Sequence, residues 1–127
     1  VKDVSYDLIK KGLNMSSLRQ RAISSNIANF NTPDYKVNRV VFEETLAKAT
    51  KEIGLRKTHD KHYGIATLED IQPKVEKRET TSLNDNGNNV DIDIEMTELT
   101  ANEMYYWTLV RQISSKLSNL NYVINRT

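Results

Sequence analysis

A chain of 127 residues with 38% apolar and 28% charged side chains, four glycines and two prolines has one domain's worth of sequence, a thin core and a polar, helix-rich surface. Eighteen basic against seventeen acidic residues leave a formal charge of +1, too little for the long-range field that draws a protein to nucleic acid or an anionic membrane. The absence of cysteine excludes a disulfide framework and a thiolate metal site. No apolar run approaches the roughly 18 residues of a membrane span, and no signal peptide is visible ahead of the first predicted helix.

The first element is a helix over residues 3–29. Tyr6, Ile9, Leu13, Ser16, Gln20, Ile23 and Ile27 recur at helical spacing, and Val4, Leu8, Met15, Leu18 and Ala22 form a neighbouring row, so the apolar stripe is wide enough for more than one neighbour. Gly12 is its weak point, at about 1 kcal/mol relative to Ala. Pro33 disfavours a helical Thr32, and Asn29 and Asn31 suit a helix end followed by a turn. The helix therefore stops near Phe30.

The middle of the sequence has less signal. Phe42, Leu46, Ala49 and Ile53 fit a short amphipathic helix over residues 41–53, stopped by Gly54. Residues 55–83 are polar and mixed in sign. Short extended pieces are expected at 65–75 and 80–83, with Pro73 confining any strand to an edge, in a segment whose low apolar content favours flexibility before assembly. His59, Asp60 and His62 offer two or three metal ligands. Nothing nearby completes a tetrahedral set, and Lys57 and Lys61 oppose a cation, so a solvated loop is the better reading.

The last element is the longest. Ile92, Met96, Leu99, Glu103, Tyr106, Val110, Ile113, Leu117, Leu120 and Ile124 alternate steps of four and three, which is a coiled-coil seam. Asn89, Asp91 and Asp93 suit its N-terminus, and no Gly or Pro interrupts it. A helix of roughly 50 Å follows, at about 1.5 Å per residue. Its other faces carry Glu98, Asn102, Arg111, Gln112, Lys116, Ser118 and Asn121, so it needs a partner along its length. Trp107 lies off the seam, either covered by a loop or anchoring a neighbouring subunit. Residues 82–93 place Gly87 sixth in a twelve-residue calcium-loop frame. Ser82 and Asp93 stand where an Asp and a bidentate Glu are needed, and an Asn86-Gly87 turn before a capped helix explains the same residues.

The fold expected is mainly α. Long N- and C-terminal helices pair as an antiparallel coiled-coil hairpin, with a short helix and a partly extended or flexible segment between them. Residues 1–36 and 85–127 form one helical domain around a variable segment, 37–84. Ile9, Leu13, Ile23, Ile27, Tyr106, Val110, Ile113 and Leu117 carry the packing within the subunit, and Met96, Leu99 and Leu120 complete the seam. Enzymatic motifs are absent: there is no nucleophile elbow, no phosphate-cradling glycine loop and no His beside a plausible nucleophile.

One string adds a family. Asn26, Ile27, Ala28, Asn29, Thr32, Pro33, Tyr35 and Lys36 match, in order, the signature that follows the first helix in the axial proteins of the bacterial flagellum, the rod, hook and hook-associated family. Asp34 stands where that family usually has Gly, and Asp enters left-handed turns less readily. Residues 85–96, followed by Leu99, Asn102, Tyr106, Leu109, Lys116 and Leu120, resemble the C-terminal region of the proximal rod members. A sister rod protein is the nearest alternative. The resemblance implies terminal helices forming an axial domain, and export through the flagellar type III apparatus. It implies a place in the basal-body rod outside the cytoplasmic membrane, with copies of itself, other rod proteins and the export-gate base as partners and no cofactor. A reading outside the family is a soluble helical binding module, calcium-responsive if the loop frame is used.

Overall fold

The computed structural model describes residues 3–56, 71–79 and 84–126, without the side chains of 52–56. It is mainly helical, in the order α1 (Val4–Ala28), β1 (Asn38–Val41), α2 (Glu43–Arg56), β2 (Lys74–Lys77) and α3 (Ile92–Ile124). The candidate metal triplet His59, Asp60 and His62 and the extended piece at 80–83 lie outside the described residues.

Both long helices begin on an aspartate. Asp3 caps α1 through its side chain, which accepts from Ser5 N at 3.1 Å and Tyr6 N at 3.3 Å, and Asp91 caps α3 in the same way through Asp93 N and Ile94 N. These are two of the orphan amides that every helix N-terminus presents. At the far end of α1 the cap is Asn29, whose amide donates back to Ser25 O and Asn26 O. Its side chain also donates to Ser25 O at 2.8 Å, and Pro33 lies four residues on.

Two elements differ from expectation. α2 runs through Gly54 to Arg56, because one glycine lowers helix stability without breaking the hydrogen-bond ladder. The strand β1 has too few residues for a visible alternation. It pairs antiparallel with β2, Asn38 opposite Lys77 and Val41 opposite Lys74. β2 is exposed along its length and starts directly after Pro73, so it shares only Lys74 and Val75 with the extended piece expected at 65–75, of which 65–70 lie outside the described residues.

The apolar core lies between α1 and the middle of the sequence. Met15 and Ala22, from the second row of α1, bury against Val40, Phe42, Ala49 and Ile71, with Leu18 and Leu46 at the margin. Lys11 Nζ donates to Ile71 O at 2.8 Å, and Arg19 grips both carboxylate oxygens of Glu43 at 2.8 Å. The low-signal segment thus supplies four of the six residues of this apolar core, and one flank of α1 is covered by it.

α3 lies along a different face of α1. The pairs Asp3–Lys116, Ser16–Asn102 and Asn26–Glu95 descend along α3 as they rise along α1, so the helices run in opposite directions. Gly12 marks a close approach, since a Cβ there would sit 2.9 Å from Leu109 Cδ1. The buried residues of α3 are Glu95, Asn102 and Leu109, spaced by seven. Two of the three are polar, and Asn102, which the periodicity assigns to an outer face, is among them. Ser16 Oγ donates to Asn102 Oδ1 at 3.1 Å, and Asn102 Nδ2 donates to Ser16 O at 2.9 Å. A buried polar pair that satisfies itself costs little. A search for apolar stripes passes it by.

Candidate functional site

The flagellar-type string ends α1 and forms the turn after it, and there the two ends of the protein lock together. Asn26 is fully buried and uses its whole side-chain inventory. Its Nδ2 donates to Asn38 O at 2.9 Å and Glu95 Oε2 at 3.0 Å. Its Oδ1 accepts from Asn38 N at 2.9 Å and from the Tyr35 hydroxyl at 3.2 Å. One residue of α1 thereby fixes the start of β1 and the first turn of α3.

Glu95 is fully buried, and its other oxygen takes Arg39 Nη2 at 2.6 Å. A carboxylate away from water needs a cation and donors close by. Arg39 from β1 and Asn26 from α1 supply both. The Arg39 guanidinium keeps partial contact with solvent.

A second cluster closes over the helix end. Asn88 is fully buried, and its Nδ2 faces Asn29 O, Phe30 O and Thr32 O at 2.9, 3.0 and 2.8 Å, three carbonyls of the cap and turn that follow α1. Its Oδ1 accepts from Val90 N at 2.7 Å. Asn89 accepts from Val37 N at 2.7 Å and donates to Arg78 O at 2.7 Å, so it ties the strand pair to the lead-in of α3 rather than capping that helix. Lys36 Nζ donates to Gly87 O at 2.6 Å, and Asp34 N donates to Asn86 O at 3.0 Å. Asp34 and Gly87 are the positive-φ residues here, at +57° and +78°. Asp34 therefore keeps the left-handed turn that the family usually builds with Gly.

The structure brings Asn26 and Tyr35 into the first cluster and Asn29 and Lys36 into the second. Thr32 contributes its carbonyl to Asn88, and its hydroxyl donates to Asn29 Oδ1 at 3.0 Å. Ala28 and Pro33 are exposed, and Ile27 is half-buried. Asn38 and Arg39 are partners that sequence reasoning missed, and Asn88 and Glu95 stand in the 85–96 resemblance without the buried role they have here. The signal available for Asn88 was its position beside the Asn-Gly turn. For Glu95 it was a charged residue seven positions before Asn102. Among the described residues, no buried side-chain nitrogen or oxygen lacks a partner.

The seam residues are dispersed. On α1, Ile23 is buried, and Ile9, Leu13 and Ile27 are half-buried. On α3, Leu99, Val110 and Ile113 are half-buried, while Met96, Tyr106, Leu117 and Leu120 are exposed. Trp107 is 61% exposed and touches Tyr106 edge to face, with ring centres 5.7 Å apart. The packed line of α3 thus runs one row over from the row richest in apolar residues. A groove of about 560 Å³ opens beside it, between Ser17 and Arg21 of α1 and Glu103 and Trp107 of α3.

No group of three or more His, Asp or Glu side chains that could hold a metal ion occurs among the described residues. Ser82 of the calcium-loop frame lies outside them. Asn86 and Asn88, within that frame, spend their side-chain oxygens on Asn88 N and Val90 N. No helix among the described residues is long and apolar enough to cross a membrane.

Residues 11–36, which close α1 and build the turn, match the family model described as flagella basal body rod protein. The class is thus a structural one, made of rod proteins and not of enzymes. The chain is 34% identical to the flagellar basal body rod protein FlgB of Bacillus subtilis, over 91% of its own length and 89% of the relative's. It is 36% identical to FlgB of Borreliella burgdorferi, over 94% and 95% of the two proteins, and 30% identical to FlgB of Aquifex aeolicus, over 93% and 90%. The chain belongs to the FlgB family of flagellar basal body rod proteins. These alignments run the length of the fold, so the choice among rod members falls to FlgB.

Proposed function

We propose that this protein is a structural subunit of the proximal rod of the bacterial flagellar basal body. Residues 1–36 and 85–127 act as one axial domain, an antiparallel coiled-coil pair, and 37–84 as the segment between. After type III export it would take its place outside the cytoplasmic membrane, with copies of itself, other rod proteins and the export-gate base as neighbours. Side chains interlocked along near-axial helices would carry torque, because twisting such an array must shear many contacts at once.

The observation that carries this reading is the apolar row left open on α3. Met96, Tyr106, Trp107, Leu117 and Leu120 stay exposed on α3, Tyr106 and Trp107 along the groove beside α1, in a subunit whose own core is satisfied elsewhere. Exposed apolar side chains gathered along one helix mark a surface meant to be covered. Ile9, Leu13 and Ile27 of α1 and Leu99, Val110 and Ile113 of α3 are half-buried within the subunit and would be covered further on assembly.

Met96→Asp and Leu117→Asp, made singly, test it. Each should leave the helical circular dichroism of the purified protein unchanged, because neither residue is buried in the subunit. Introduced at the chromosomal locus, each should abolish rod completion and swimming. Variants that fold and support normal swimming would remove the α3 row from the assembly.

A further inference from the structure

The turn that docks under Asp34 contains the only Asn-Gly sequence in the protein, Asn86-Gly87; each other asparagine is followed by a residue with a side chain. In such a pair the backbone nitrogen of the glycine can attack Cγ of the asparagine, since no side chain on the second residue stands in the way. The reaction needs that nitrogen free and rotated toward Cγ, a near-attack geometry that the backbone must reach before the bond forms.

The folded turn withholds that geometry at four atoms. Gly87 N donates to Asn84 O at 3.1 Å, so the nucleophile is engaged. Asn86 Oδ1 accepts from Asn88 N at 3.2 Å, so the side chain that carries the electrophile is tied past Gly87 to the residue two positions on. Asn86 O accepts from Asp34 N at 3.0 Å and Gly87 O from Lys36 Nζ at 2.6 Å, which clamps the peptide on both sides. Yet Asn86 is exposed, so water reaches it. Two of these four contacts lie within the turn and two form its clamp, and the clamp exists only while residues 34–36 are docked.

We infer that Asn86-Gly87 is a latent deamidation site, guarded while the two ends of the protein are locked and open when they part. Gly87 N loses its proton to solvent base and forms a bond to Asn86 Cγ. The bond from Cγ to Nδ2 breaks, and ammonia leaves with a proton taken from solvent. Water then opens the cyclic imide at either carbonyl, giving aspartate or isoaspartate. One water is consumed and one ammonia released, with no change of oxidation state. The isoaspartyl product adds a methylene to the backbone and sets a carboxylate beside Asp34 and Asp85, so a marked turn no longer fits its dock. A subunit that lingers open is altered irreversibly.

The test is mass spectrometry of the peptide spanning 86–87, after the full-length protein has been incubated at mildly alkaline pH in native buffer and in urea, with isoaspartyl methyltransferase labelling as a second readout. Deamidation at residue 86 should be at least about tenfold slower in native buffer than in urea, as protection by a closed local structure requires. Lys36→Ala, which removes one clamp, should speed it roughly fivefold in native buffer. Asn86→Gln should remove the signal in urea. If Lys36→Ala proves unfolded, the wild-type rate measured across the urea transition replaces it and should track the open fraction. Equal rates in native buffer and urea, or no mass gain in urea, would overturn the inference.

Discussion

Asn26 of α1 donates its side-chain amide to Glu95 of α3 at 3.0 Å, and neither residue has any surface in contact with solvent. Glu95→Ala leaves an Asn26 hydrogen and the Arg39 guanidinium without their acceptor and should lower the unfolding free energy by about 2–4 kcal/mol. Glu95→Gln keeps the shape but turns one end into a donor facing donors, so it should recover little of that loss. Urea unfolding followed by the helix signal reads both. If Gln restores wild-type stability, the charge on Glu95 is not what the pocket requires.

Asn88 offers a test of sign. Its amide faces three carbonyls at the end of α1, an arrangement that suits a donor and repels an acceptor. Asn88→Ala should cost about 1–3 kcal/mol, because it removes a fully buried donor shared by three carbonyls and the acceptor of Val90 N. Asn88→Asp is nearly isosteric yet should be the worse of the two, because it aims a carboxylate at those oxygens. The order of the two urea midpoints decides the matter.

The turn pair Asp34 and Gly87 makes a third. A Cβ on Gly87 would collide with the Asp34 carboxylate, and Gly87 holds a left-handed φ. Gly87→Ala should therefore destabilise by about 1–3 kcal/mol. Asp34→Gly takes a non-glycine residue out of a left-handed conformation, so it should stabilise by up to about 1 kcal/mol, and it removes the carboxylate that a Cβ on Gly87 would meet. In the double variant the penalty of Gly87→Ala should shrink but persist, because its φ is unchanged. Thermal unfolding of the four proteins measures the coupling.

At the opposite end of α1 the hydrogen bond from Lys116 holds the Asp3 carboxyl below its ordinary value of 3.8. A depressed carboxylate contributes stability that is present above the unfolded pKa and lost as pH falls through the folded one. Lys116→Met should consequently lower stability at neutral pH, and the gap to wild type should close in acid below the folded pKa of Asp3. Carboxyl resonances titrated by NMR should place Asp3 higher in the variant. An unchanged titration would mean that solvent already screens the pair.

The sequence states the helices clearly and their interface poorly. α1 and α3 are long, periodic and bounded by Asp3, Asn29 and Asp91, each of which has a local reason to sit at a helix end. The face by which α3 meets α1 carries Glu95 and Asn102, residues that any hydropathy criterion assigns to solvent. They become interior because Asn26, Arg39 and Ser16 complete their hydrogen bonds, and those partners lie tens of residues away in the sequence. β1 is equally hidden: only four residues long, with Asn38 and Arg39 among them, it is defined by Asn26 and β2 rather than by its own pattern. The flagellar-type string is legible as a string, but Asn88 and Glu95, the residues that answer it, belong to the other end of the protein.

The spacing of Glu95, Asn102 and Leu109 sets the dimensional tolerance of the subunit. An apolar seam can slide by a heptad and find similar contacts, but here such a slide would set Leu109 against Ser16 and Asn102 against Asn26. It would strand the Ser16 hydroxyl and the Arg39 guanidinium, at about 1–3 kcal/mol for each neglected group. The two helices therefore have one length of overlap, from the Asp3–Lys116 pair to the Asn26–Glu95 pair, in every copy. In any stack of identical subunits a slip within each member would add along the stack. A register pinned by hydrogen bonds keeps that error from accumulating.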